Sequence, residues 1–184
     1  MAQLNEPWLG FLTELDAKLE EPVSMACMGG FVMQFCFGLK RITFDIDSCA
    51  IHPLDHDAVV DILAGQNSPL RKKYGIYIQH VRVVNLPCDH TSRLLQLDLP
   101  YLKRLSLWAL DAHDLALSKL ERFSERDLFD VQHLAANGHI DLETLQQRYF
   151  AEQRSYLLGD LNVYDRRLAI WLESCWPDQF PDQP

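Results

Sequence analysis

A chain of 184 residues is long enough for one domain with a buried core, or one domain with a small helical appendage. Its apolar fraction of 48% and charged fraction of 23% are ordinary for a globular protein and select no function. The net charge of -9 argues against broad adhesion to nucleic acid or anionic membranes, both of which need a basic surface.

Basic residues gather only locally, at Arg71, Lys72 and Lys73, at Lys103 and Arg104, and at Lys119 and Arg122. A solvated face is the default reading of each, and a local RNA contact is the alternative. The five cysteines, Cys27, Cys36, Cys49, Cys88 and Cys175, form no C-x-x-C pair and read as reduced thiols. No charged-then-apolar leader opens the chain and no apolar run approaches a membrane span, so a cytoplasmic protein without membrane contact is expected.

Trp8, Phe11, Leu12, Leu15 and Leu19 recur at helical spacing within Glu6 to Leu19, and Pro22 stops that helix. Val23 to Met28 is a short apolar run, read as a buried strand broken by Gly29 and Gly30. Phe31 to Leu39 suits a short buried helix starting at those glycines. Its N-terminus either offers free N–H groups to a phosphate or is a plain strand-to-helix turn.

Ile42 to Ile51 reads as the next strand. Alternation along it puts Asp45 and Asp47 on one face, with Phe44 and Ile46 on the other. Two adjacent carboxylates are tolerated most readily around a cation, most often magnesium, or they form the solvent face of an edge strand. Leu54 to Leu63 carries a helical stripe stopped by Gly65, and Ser68-Pro69 caps a short turn through Lys73. Strands follow at Ile76 to Leu86, weakly at Leu94 to Leu99, and at Leu102 to Leu110.

From Asp111 the pattern is helical only. Asp111 caps one helix with Asp114 at the capping-box position, Ser124 caps the next with Asp127 three residues on, and Asn137-Gly138 ends it. Asp141 caps a third helix, Leu161 to Trp176 forms the last, and Pro177 to Pro184 reads as a disordered tail. The expected class is α+β: a small mixed sheet with flanking helices over residues 1–110, then a helical region over 111–176. His52-x-x-x-His56 has helical spacing, but Pro53 and the lack of an H-E-x-x-H context argue against zinc.

Gly29-Gly30, the short apolar helix, Arg41-x-Thr43 and Asp45-x-Asp47 together resemble the opening motifs of the DNA-polymerase-beta-like nucleotidyltransferase superfamily. Downstream, AHDLALSKLERFSERDLFDV, with Lys119, Arg122, Arg126, Asp127 and Asp130, resembles the Lys-then-Arg-Asp-x-x-Asp region of its AbiEii-type branch, which includes bacterial toxins of toxin-antitoxin systems. The two matches span Pro22 to Leu134. The chain also resembles uncharacterised bacterial nucleotidyltransferase-like proteins.

The resemblance implies a magnesium site that activates a nucleoside triphosphate. Gly29 and Gly30 would hold triphosphate oxygens, and Asp45 and Asp47 would ligate Mg2+. Lys119 would neutralise phosphate charge, and Asp130 would orient Lys119 or the nucleophile. Those roles match what phosphoryl-type transfer needs, namely positioning and charge neutralisation. The acceptor would be an RNA such as tRNA, a protein or a small molecule, and a toxin-like member would have an antitoxin partner.

Each residue also has a plainer reading. Asp127 is explained as a capping residue, Lys119 as a helix-surface lysine, and Arg41 either binds phosphate or pairs with Asp45 or Asp47. Lys119 and Asp130 meet only if the chain turns at Ser124, because one straight helix would hold them about three turns apart. No third metal carboxylate is placed securely: Asp89 lies in a turn and Asp98 in the weak edge strand. That gap favours the alternative function, a noncatalytic nucleotide-binding or interaction module that retains the fold.

Overall fold

A five-stranded mixed sheet in the order β3-β2-β1-β5-β4 carries the N-terminal part of the chain. The computed structural model describes residues 4–180. They divide into two units, one of residues 1–84 and 94–110, the other of residues 85–93 and 111–184. Residues 85–93, which the sequence pattern groups with the first 110 residues, belong by their contacts to the unit of the C-terminal helices.

In the first unit, α1 (Trp8–Lys18) buries Trp8, Phe11, Leu12 and Leu15, the stripe that an amphipathic helix turns toward a core. Asp16, on the same helix, is also buried. Its Oδ1 accepts from the backbone N–H groups of Lys103, Arg104 and Leu105 at 2.9, 2.7 and 2.7 Å. One carboxylate thus closes the entrance to β5 (Leu105–Ala109), whose buried-intermediate alternation follows the period of two read from the sequence.

β1 (Val23–Met28) runs antiparallel to β2 (Asp45–His52) and parallel to β5. α2 (Gly29–Phe35) starts directly at the end of β1. β2 begins three residues later than alternation suggests. Ile42 and Phe44 are not strand residues, and they stand 73% and 62% exposed, so Phe44 does not share the burial of Ile46.

β3 (Tyr77–His80) pairs parallel with β2 only as far as Ser48↔His80. There the β1–β2 register jumps from Ala26↔Ala50 to Cys27↔Ser48 and leaves Cys49 as a bulge. The alternation of residues 76–86 outlasts the strand because a partner's bulge leaves no mark on it. β4 (Leu95–Gln96) is a two-residue edge strand against β5. α3 (Asp57–Ala64) and α4 (Pro69–Tyr74) complete the unit, α4 capped by the Ser68 hydroxyl as Ser-Pro predicts.

The second unit is helical. α5 (Ala112–Leu117), α6 (Glu125–Ala136), α7 (Leu142–Arg148) and α8 (Leu161–Cys175) are capped by the side chains of Asp111, Ser124, Asp141 and Asp160. Asp114 does not close a capping box. Its fully buried carboxylate takes Arg93 Nε and Nη2 at 3.0 and 3.1 Å and Arg148 Nη1 at 3.0 Å, two guanidiniums that outcompete a backbone N–H.

Asp111 bonds Arg148 as well, and Arg93 reaches Glu152 at 2.6 Å. The main chain of 85–93 is tied in by Cys88 N–H to Glu152 O and by Gln153 Nε2 to Asn85 O. Pro177–Gln179 forms a single 3-10 turn within the segment read as a tail, and residues 181–184 lie outside the described residues. All five cysteines are free, and among the described residues no helix is long and apolar enough to cross a membrane.

Candidate active site

Gly29 takes φ +71°, the left-handed region that a Cβ disfavours. A Cβ built there would lie 2.1 Å from Asp47 Oδ2, far inside contact distance. Glycine at 29 is therefore what lets the Asp47 carboxylate lie against the turn between β1 and α2. At Gly30 the nearest obstacle is Thr43 Oγ1, 2.9 Å from a built Cβ. Both glycines make room for side chains of the 43–47 segment.

Asp45 and Asp47 are half-buried, flank the buried Ile46 on β2, and share a face. Thr43 Oγ1 donates to Asp45 Oδ1 at 2.8 Å, and the Tyr77 hydroxyl approaches Oδ2 at 3.5 Å from the neighbouring strand. The Tyr77 phenol is pushed up, first by burial and then by the Asp45 charge, while Arg71, 5.3 Å above its ring, acts the other way. Asp47 also has interactions of its own within the fold.

These two carboxylates offer hard oxygen donors of the kind magnesium takes, which usually keeps one or two protein carboxylates and fills its octahedron with water and phosphate oxygens. The Cys27 thiol is pushed far up, by burial above all and then by the neighbouring Cys49, Cys36 and Asp47. β5, whose residues are Leu-Ser-Leu-Trp-Ala, contributes no third carboxylate, and Asp98 is exposed beyond β4. Among the described residues, one trio of possible ligands has its donor atoms within 4.8 Å of one another, Cys88, Asp89 and Glu152, in the other unit.

Lys119 and Asp130 belong to that second unit. The chain turns through 118–124, with Phe123 at φ 47°, and this turn brings Lys119 Nζ to 2.9 Å from Asp130 Oδ2 and 3.7 Å from Asp127 Oδ1. Lys119 is no surface lysine: it is 6% exposed, and both acids are fully buried. α6 thus carries two carboxylates on the same inner stripe as Val131 and Leu134.

Asp127 closes the capping box of α6 with Ser124 and takes Arg122 at 2.8 and 2.5 Å. Burial pushes its carboxyl up, but the Arg122 and Ser124 hydrogen bonds outweigh that and hold it at about 2. Capping and pairing account for this residue. The Phe123 ring stacks on Trp171 at 5.8 Å under the Arg167 guanidinium, which binds the Leu120 and Glu121 carbonyls and holds the turn.

Gly29, Gly30, Thr43, Asp45 and Asp47 are therefore one cluster and Lys119, Asp127 and Asp130 another, each within its own unit. Arg41 is half-buried and engaged within the fold. Sequence reasoning did not find Tyr77, because only strand pairing puts it opposite Asp45, and it read Arg71 only as one of a basic cluster. It also missed Arg93 and Arg148, whose partners are remote in sequence. Of the basic clusters, Lys73 pairs with Glu14 across 2.5 Å and Lys103 and Arg104 are exposed.

No curated protein and no solved structure matches the chain. A family model described as "nucleotidyltransferase of unknown function" does match it, over residues 11–173, which takes in both clusters. By that match, the chain belongs to the nucleotidyltransferase family of unknown function DUF6036.

Proposed function

We propose that the chain is a magnesium-dependent nucleotidyltransferase that moves a nucleotide from a nucleoside triphosphate to an acceptor, with Asp45 and Asp47 as the metal ligands. The observation that carries this reading is the seating of Asp47 against the Gly29 turn, with Asp45 on the same face held by Thr43. Bound there, the metal would neutralise triphosphate charge and align the reacting phosphorus.

The chain's own residues supply the rest of the reading. Gly29 and Gly30 bring the backbone close to the carboxylates, where a substrate phosphate would meet both. Thr43 fixes the Asp45 carboxylate. Lys119 and Asp130 enter this reading only through the family resemblance, which gives Lys119 a role in offsetting phosphate charge with Asp130 orienting it; within their own unit the two are joined by a buried 2.9 Å bond. Arg41, two residues before Thr43, is proposed as a further phosphate contact.

The finer reading is an AbiEii-type toxin with an RNA or tRNA acceptor and an antitoxin partner. It is supported by the order of the Gly-Gly, Asp-x-Asp, Lys119 and Asp130 motifs. A second reading, a noncatalytic nucleotide-binding module, is favoured by the absence of any acid on β5.

The test incubates the protein with each labelled nucleoside triphosphate, magnesium, and a mixture of total RNA and protein, beside an Asp45→Ala, Asp47→Ala double variant. Transfer by the natural chain that the double variant loses supports the site. Transfer that persists in the double variant removes the metal assignment, and nucleotide binding without transfer to any acceptor selects the noncatalytic module.

A further inference from the structure

Next to Thr43 lies a cavity of about 410 Å³ with walls from residues 5–8, α2, the 42–44 segment and residues 74–76, which link α4 to β3. It is a place where rings gather: Trp8, Phe35, Phe44 and Tyr74 all line it. Trp8 is held edge-on to Phe35 at 5.9 Å, so that part of the wall is preformed. Phe44, by contrast, stands 62% exposed although it adjoins the first strand residue. A large aromatic left in water at the rim of an aromatic cavity is a surface suited to stacking.

Gln34 adds the polar element. It lines the cavity, and its Oε1 is shut off from solvent with no hydrogen-bond donor. A buried amide oxygen without a partner costs free energy, and a donor brought by a ligand would recover it. Rotation about its last torsion exchanges the two ends of the amide without moving the rest of the side chain. Either its oxygen or its NH2 group can then face a ring edge.

Thr43 ties the cavity to the site. It lines the cavity while its Oγ1 donates to Asp45 and abuts Gly30. A planar heterocycle stacked on Phe44 would therefore sit beside Thr43, whose hydroxyl is bonded to Asp45.

We propose that this cavity binds the nucleobase of a reactant, stacked on Phe44 and hydrogen-bonded along one edge by the Gln34 amide. The proposal rests on the nucleotidyltransferase reading for its choice of a nucleobase over other planar rings. Every nucleobase presents an adjacent donor or acceptor pair that a primary amide can meet, and a π face that an aromatic can cover.

The experiment uses the four nucleosides without phosphates and without metal, so its outcome is independent of transfer activity. Binding is read by saturation-transfer NMR and by tryptophan fluorescence. At least one nucleoside is expected to bind saturably, with a Kd of about 1 mM or tighter. Phe44→Ala, which removes an exposed ring and leaves the core intact, weakens it about tenfold or more. Gln34→Leu weakens it while leaving the binding of indole, which has no amide-matching edge, unchanged.

The proposal is overturned if no nucleoside binds up to about 10 mM. It is equally overturned if Phe44→Ala and Gln34→Leu both bind like the natural chain, or if indole binds as tightly as every nucleoside. Nucleosides that bind to a chain incapable of transfer would retain the cavity and retire the catalytic reading; transfer without nucleoside binding would do the reverse.

Discussion

Replacing Gly29 by alanine separates two effects that a glycine can have. Gly29 and Gly38 share almost the same left-handed backbone, φ +71° and +69°, and both lie in the first unit. A Cβ at Gly38 meets nothing within 4 Å, whereas at Gly29 it meets Asp47 Oδ2 at 2.1 Å. Gly38→Ala therefore reports backbone strain alone, about 1–2 kcal/mol.

Gly29→Ala carries the same strain and must also displace the carboxylate by about 1 Å or swing it off its rotamer, at a further cost of about 0.5–1.5 kcal/mol. Urea unfolding followed by tryptophan fluorescence measures both variants. Mn2+ binding, as a probe of the proposed site, is expected to weaken about tenfold or more in Gly29→Ala and to be unchanged in Gly38→Ala. Equal stability and equal Mn2+ affinity in the two variants would show that Asp47 does not lie against the turn, and the proposed site would lose its central observation.

Asp16→Ala should cost about 2–4 kcal/mol, because the buried Leu105 N–H loses its only charged acceptor while water replaces it more readily at the exposed Lys103 and Arg104. Asp16→Asn keeps an oxygen there and should cost roughly half as much in the same unfolding assay. A loss below ~1 kcal/mol in the alanine variant would show that β5 does not depend on this carboxylate. Asp127, held at about 2 against an ordinary 3.8, binds its proton more tightly when unfolded, so its contribution is full above pH 4 and is lost as pH falls through 2. The contribution is about 2 kcal/mol, and the stability gap between the natural chain and Arg122→Gln should shrink across that window; a gap constant with pH would refute the pairing.

Several elements were legible because their signals are local. The Trp8–Leu15 stripe, the Val23–Met28 run before Gly29, and the Ser124 and Asp141 caps all lie within one turn or one strand of what they specify. The Asp45–Asp47 pair and its glycines were legible for the same reason. What escaped depends on partners. The end of β3 is set by a bulge in β2, the exposure of Phe44 by where pairing begins, and the burial of Lys119 by two acids on the next helix. Asp114 was misread as a capping residue because Arg93 and Arg148 are brought to it only by folding.

The chain's path has a practical outcome for dissection. Residues 85–93 leave the first unit before β4 and β5 have been made, and Arg93 waits for Asp114 and Glu152. On the ribosome, that segment emerges with its carboxylates still to be translated. A fragment cut at Leu110 keeps Arg93 but has neither acid, and a fragment begun at Asp111 keeps both acids but has lost the guanidinium. Neither unit can be obtained by a single cut, so an intact second unit requires residues 85–93 to be joined to 111–184, by permutation or by co-expression.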